Sequence, residues 1–431
     1  MRICLLIPGT GHFHCGSCLR DETLARGLEA EGHEVMVVPL YLPLVLDRPP
    51  NIANRDAVQM GGINLYLLQR LPWAARLPKF LARQLDRPGL LRWASRRGNM
   101  TDSPDLGPLT VETLRGEAGR MVTEVRKLIQ RLSIGERPDV VVLSNAMLTG
   151  LTSSLKEGLP GVRVVCTLQG EEPFLDRLPE PFREEAWAEL QARAIAVDAF
   201  IGVSEWYASR MATRLRIEPE RLHVVPNGID VEELQTLTPM SSGVPTIGFL
   251  ARLCDDKGLH SLVDAFEQLH ARGNIPGLRL RLCGAVLSED RRPLKLLRKR
   301  LKRAGLQDRV DILTNVTRAQ KLEFLSTLSV LSVPATYGES FGLYVLEALA
   351  AGVPVVQPDH GGLSELVNKT RGGVLYDIAK PDALALALES FLLDAQERKA
   401  AAELGRAAVL RYYNADRMTA DVAEVCLKVL E

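Results

Sequence analysis

Residues 337–362 read YGESFGLYVLEALAAGVPVVQPDHGG. An apolar run ahead of them, ending near Val333 and Pro334, reads as a buried strand. A loop follows. The spacing then predicts a helix starting close to Gly342, with Leu346, Leu349 and Ala350 on its packed face. Gly352 and Pro354 stop that helix. A second apolar strand is expected over 353–356, running into a glycine turn at Gly361 and Gly362. Strand, loop, helix, strand is the repeating module of an α/β sheet.

The carboxylates in this stretch are spaced around the helix start. Glu339 precedes it, and Glu347 sits about five residues inside, roughly 7–8 Å along the axis. Between them lies a helix N-terminus, whose free N–H groups and positive dipole end attract phosphate. A carboxylate beside a phosphate would be repelled, so each glutamate suits hydroxyl groups on either side of it. Sugar hydroxyls, then a diphosphate, then ribose hydroxyls fit that order. The ligand so described is a nucleotide sugar, and the bland alternative is a plain amphipathic helix.

Embedded as ESFGLYVLEALAAGVPVV, this Glu-x7-Glu resembles the signature of retaining glycosyltransferases of the GT-B fold, family 4 type, the glycosyl transferases group 1. The resemblance implies that Glu339 is catalytic and faces the transferred sugar, while Glu347 holds the ribose. Ser340, Phe341, Gly342 and Leu343 would line the donor site between them. It also implies a GT-B architecture: two doubly wound Rossmann-like α/β domains facing a cleft, with a C-terminal helix crossing back to the first.

Totals agree with such a protein. At 431 residues the chain exceeds one ordinary core, and two domains of about 200 residues are expected. Hydrophobic content of 46% with 25% charged residues describes a globular chain. Lys plus Arg and Asp plus Glu both number 53, so no net field favours nucleic acid. No run approaches the roughly 18 apolar residues of a membrane helix. The start MRICLLIPGTG lacks signal-peptide architecture, and seven scattered cysteines suit a reducing cytosol. The expected location is therefore cytoplasmic.

Residues 2–7 read as a buried parallel strand, and a helix is expected over about 18–31. The loop between them, PGTGHFHCGSC, lacks the third glycine of GxGxxG. Gly11, His14 and Gly16 are candidates for an acceptor or phosphate loop. His12, His14, Cys15 and Cys18 lie within seven positions. Loop packing with substrate contact, a zinc site and a redox dithiol are all readings of that group. A helix is expected over 111–132, with Met121, Val125, Leu128 and Ile129 on one face. The strand over 162–168 ends at Gln169, where the family commonly has a histidine near the transferred sugar. Gln169 is thus a candidate catalytic residue and a departure from the family pattern. PNGID at 226–230 matches a family turn.

The polar stretch 236–245 reads as a linker. The expected domains are 1–240, completed by a helix over 412–431, and 241–411 for nucleotide-sugar binding. In the second, Arg252 and Lys257 occupy the cations of the family's GRLxxxKG motif, which the resemblance assigns to the donor diphosphate. Asn315 and Val316 lie where family members present backbone to the nucleobase. Asp-x-Asp occurs nowhere in the chain, so no metal clamp and no cofactor are implied.

Two segments are strongly basic. Residues 79–97 hold six basic residues against one Asp, with Phe80 and Trp93 interleaved. Residues 291–303 hold eight basic residues in thirteen and no acid, with Leu294, Leu297 and Leu301 as an apolar stripe. A solvated helix face is the plain reading of both. The other is peripheral contact with an anionic membrane surface, here the inner face of the membrane, or for 79–97 an acceptor-binding patch. The function read from all this is transfer of a sugar from a nucleotide diphosphate sugar to a hydroxyl of a glycan or glycolipid acceptor, with retention, in polysaccharide or glycolipid biosynthesis. A non-catalytic GT-B protein that binds nucleotide sugar as a sensor or scaffold is the alternative, with Gln169 as its support.

Overall fold

A computed structural model describes residues 1–8, 16–40, 103–116, 122–134, 137–237 and 243–431. The chain forms two compact units, 1–226 with 418–431 and 227–417.

In the first unit, β1 (Arg2–Ile7) leads to α1 (Gly16–Ala30) and β2 (Glu34–Pro39). Helices α2 (Ser103–Arg115) and α3 (Val122–Leu132) precede β3 (Val140–Leu143) and β4 (Arg163–Leu168). Then come β5 (Ala199–Gly202), α4 (Glu205–Leu215) and β6 (Leu222–Val224). The helix expected over 111–132 is instead two, because Gly116 takes φ +58° and ends the first. Six parallel strands lie in the order β2-β1-β3-β4-β5-β6. The runs of the central strands β1, β3, β4 and β5 are buried on both faces, as a parallel sheet requires, while β6 at the edge is partly exposed. Leu24 and Leu28 of α1 pack on Ile3, Leu5 and Val142, together with Met418, Val422 and Val425 of the C-terminal helix Ala415–Lys428.

The second unit runs β7 (Thr246–Leu250), α5 (Leu259–Arg272), β8 (Arg279–Gly284), α6 (Arg291–Arg303), β9 (Val310–Thr314) and α7 (Arg318–Ser326). It continues with β10 (Val330–Leu331), α8 (Leu343–Ala350), β11 (Val355–Pro358), α9 (Gly362–Thr370) and β12 (Gly373–Tyr376). The strand expected over 353–356 starts two residues later, because the Val353 N–H closes the end of α8 on Ala348 O at 2.8 Å. This sheet is also six-stranded and parallel, in the order β12-β11-β10-β7-β8-β9. The first strand of the unit, β7, pairs with β10 on one side and β8 on the other. The connections therefore diverge between β7 and β10, and a crevice opens beyond their carboxyl ends.

Candidate functional site

The loops after β7 and β10 are fastened to each other. The Thr336 N–H and hydroxyl both donate to Asp256 O, at 3.0 and 3.2 Å. Gly258 has φ +73°, and a Cβ there would stand 1.8 Å from Pro334 O, so only glycine allows this approach. The turn before α9 braces the other side. The Gly362 N–H donates to Glu339 O at 2.7 Å. Gly361, at φ +67°, lies so close that a Cβ would come within 2.8 Å of the same oxygen.

This scaffold brings Lys257 to Glu339. The Lys257 ammonium donates to Glu339 Oε1 and to the Tyr337 hydroxyl, the latter at 2.5 Å. It also lies 5.0 Å from the centre of the Tyr337 ring. Both charged side chains are largely enclosed, 21% and 9% exposed. Burial pushes the Lys257 pKa down, but the charge of Glu339, with Tyr337 beside it, outweighs burial and holds it above the ordinary lysine range. Burial and the Glu339 charge push the Tyr337 phenol up. Beside them the Tyr344 hydroxyl is buried and has no hydrogen-bond partner among the described residues.

Arg252, also after β7, meets two acids at the start of α6. Its Nε and Nη2 donate to Asp290 at 2.7 and 2.9 Å, and Nη2 to Glu289 at 2.5 Å. Burial opposes its charge, and Asp290 more than compensates. Glu347 on α8 accepts from Lys321 Nζ of α7 at 2.7 Å. Asn315 follows β9 with φ +52°; its N–H donates to Gly284 O at 3.0 Å and its Oδ1 accepts from Val286 N–H at 3.4 Å. Phe341 is buried against Tyr413, ring centres 6.2 Å apart. Gly342 stands at the N-cap of α8 and brings no side chain to cap the first turn. Ser340, Phe341, Gly342 and Leu343 thus lead from Glu339 into α8, and Val316 follows Asn315 after β9.

In the first unit, Gln169 follows β4. Its Nε2 donates to Ser144 O at 2.9 Å. Gly16 is exposed at the first position of α1. Gly11, His12, His14 and Cys15 lie outside the described residues, as do the Cys18 side chain and segment 79–97. Among the described residues, no group of three or more His, Cys, Asp and Glu is placed to hold a metal ion. No helix among them is long and apolar enough to cross a membrane.

The profile of the family described as Glycosyl transferases group 1 matches residues 232–408, and that of Glycosyltransferase Family 4 matches 95–233. Residues 95–408 are thus matched as a glycosyltransferase of the group 1 and Family 4 type. The chain's curated relatives are glycosyltransferases. A D-inositol 3-phosphate glycosyltransferase of Corynebacterium urealyticum is 32% identical over 44% of this chain and 48% of its own, so the match spans about half of that relative. An alpha-maltose-1-phosphate synthase of Mycolicibacterium smegmatis is 28% identical over 67% of this chain and 79% of its own. The fold matches HepE of Anabaena, solved in complex with UDP, at TM-score 0.69 and 20% identity, over 99% of this chain and 100% of that one. Sucrose-phosphate synthase of Thermosynechococcus elongatus matches at TM-score 0.69 and 17% identity, over 99% and 98%. The fold is GT-B.

Within the segment matched by the group 1 family, the sequence alone did not single out Tyr337, Lys321 and the Glu289–Asp290 pair. Tyr337 opens the stretch that was read, two positions before Glu339, and a phenol that near a candidate acid was a usable signal. Lys321 and Asp290 carried none, because their partners lie 26 and 38 positions away.

Proposed function

We propose that the chain is a retaining, hexosyl-type glycosyltransferase that moves a sugar from a nucleotide diphosphate sugar to a hydroxyl of a glycan or glycolipid acceptor. The observation that carries this reading is the Lys257–Glu339 pair, seated beyond adjacent strands β7 and β10 and beside the glycine N-cap of α8. Lys257, Arg252 and the N-terminus of α8 stabilise the diphosphate as it departs. Glu347, oriented by Lys321, takes the ribose hydroxyls, and the backbone at Asn315 and Val316 takes the base. Glu339 holds hydroxyls of the transferred sugar.

Gln169 is a neutral amide, so it neither attacks nor titrates as a base. In a front-face transfer, the leaving phosphate oxygen takes the acceptor's proton. The bond from the anomeric carbon to that oxygen breaks while the bond to the acceptor oxygen forms on the same face. The protein then positions substrates and stabilises charge, and Gln169 hydrogen-bonds a sugar hydroxyl.

A thermal-shift screen against UDP, GDP, ADP and dTDP identifies the donor base, since binding raises apparent stability. Turnover of the matching nucleotide sugar, followed by NMR of the product, is expected to show retained anomeric configuration. Glu339→Ala should nearly abolish turnover and Gln169→Ala reduce it modestly. An inverted product would defeat the mechanism, and no turnover with any donor that binds would favour the sensor reading that Gln169 motivates.

The membrane-facing part of this proposal falls on α6, where Leu294, Leu297 and Leu301 are buried and Leu296 is exposed among basic residues. Flotation with phosphatidylglycerol vesicles but not with phosphatidylcholine vesicles is its expected result.

A further inference from the structure

We propose that Glu171 is the positioning residue for the loop that carries Gln169, an inference that rests on the reading of Gln169 as a group that hydrogen-bonds the transferred sugar. Glu171 is buried two residues beyond Gln169. Its carboxylate gathers donors from three separate segments. Oε1 accepts from the backbone N–H of Ala146 at 2.8 Å and of Gln169 at 3.1 Å. Oε2 accepts from the N–H of Gln169 and of Gly170, both at 3.0 Å, and from the Tyr207 hydroxyl of α4 at 2.8 Å.

These bonds control Gln169 from both ends. One set grips its backbone directly. The bond to Ala146 fixes the segment after β3, where Ser144 O receives the Gln169 side-chain amide. A ring therefore closes from Glu171 through Ala146 and Ser144 to the Gln169 amide, then back through the Gln169 N–H. Only a carboxylate serves at its centre, because every group facing it is a donor and an ionised carboxylate is acceptor-only. An amide of the same shape would turn an NH2 toward backbone N–H groups.

The next residue shows the contrast. Glu172 is equally buried but pairs with Arg210 and Arg214 of α4, at 2.5 and 2.6 Å, and Arg214 reaches on to Asp176. That cluster anchors a helix and does not touch Gln169. Glu172→Gln is accordingly a control for loss of stability alone.

The test compares the parent with Glu171→Gln, Tyr207→Phe, Gln169→Ala and the double variant Glu171→Gln/Gln169→Ala. In Glu171→Gln, the amides of Ala146, Gln169 and Gly170 should exchange faster with deuterium, while UDP affinity stays within about twofold. Tyr207→Phe removes the bond to Glu171 and also the acceptor of the Glu172 N–H at 3.3 Å, but leaves the other bonds to the Glu171 carboxylate, so it should show the same change at smaller amplitude. Turnover, measured with UDP-, GDP- and ADP-glucose, should fall in Glu171→Gln by no more than in Gln169→Ala. About tenfold is the ceiling for one neutral hydrogen bond. Donor KM should stay nearly unchanged, and the double variant should match Gln169→Ala, because residues acting as one unit are not additive.

Unchanged amide exchange in Glu171→Gln overturns the proposal. So does a turnover loss that multiplies with that of Gln169→Ala. A parent inactive with every donor defeats the transferase reading instead, and the exchange measurement still decides the positioning.

Discussion

Lys257 and Glu339 are joined by a hydrogen-bonded ion pair across 82 positions of sequence, with the Tyr337 hydroxyl on the same ammonium. A diphosphate taken up by Lys257 must compete with Glu339 for that cation. Lys257→Ala is expected to weaken nucleoside diphosphate binding by more than about tenfold, since a charged hydrogen bond contributes about 1.5–3 kcal/mol. Glu339→Gln removes the competing charge, so affinity should hold or tighten while turnover nearly vanishes. Calorimetry with UDP checks both, and an unaltered affinity in Lys257→Ala would sink the donor assignment.

Gly361 is where the backbone of Glu339 is braced. Gly361→Ala would set a Cβ 2.8 Å from Glu339 O and 2.9 Å from Glu339 N, at φ +67°. The expected loss of stability is about 1–3 kcal/mol, and turnover should fall further than nucleotide affinity. Gly277→Ala carries a similar φ of +75° with nothing within 4 Å, so it reports the backbone strain alone. Equal melting temperatures and activities in the two variants would remove the bracing role.

Transfer is expected to survive EDTA. The chain has no Asp-x-Asp, and in the proposed donor site Arg252 and Lys257 supply the cations that compensate the diphosphate charge. Loss of turnover on chelation, restored by magnesium or manganese, would contradict this. One zinc per chain in elemental analysis would independently revive the His12, His14, Cys15 and Cys18 group.

Asp139 ties the start of β1 to β3. It accepts from the Arg2 N–H at 2.7 Å and from the Arg2 guanidinium at 3.2 Å, and these hold its carboxyl below the ordinary range. A depressed carboxylate pKa adds stability that is fully present above the unfolded value and lost as pH falls through the folded one. Asp139→Asn should therefore lower the melting temperature at pH 7, by a few degrees for a loss of about 1 kcal/mol in a partly exposed pair. The gap from the parent should shrink as pH drops below about 4, where an unfolded aspartate takes up its proton. A gap that stays constant down to pH 2 would rule out Asp139 ionisation as its source.

Local periodicity determined much of this protein. The apolar runs at 2–7 and 162–168 are buried parallel strands, and Leu346, Leu349 and Ala350 face inward on a helix that begins just after Gly342. Those patterns need only neighbours within a turn or two, so one sequence displays them. Breaks that depend on a single backbone torsion were harder to read: Gly116 splits the helix pattern of 111–132 by turning left-handed. The pairings were settled by tertiary structure alone. Arg252 and Lys257 look alike as cations five positions apart, yet one is held by Asp290 and Glu289 and the other by Glu339 and Tyr337. Strand order decides this, because it sets β7 between β8 and β10, so the one loop after β7 brings Arg252 to the α6 start and Lys257 to the loop before α8. The same holds for Glu171 and Glu172. They are chemically identical neighbours, but the backbone after β4 turns the first toward amide N–H groups and the second toward two arginines.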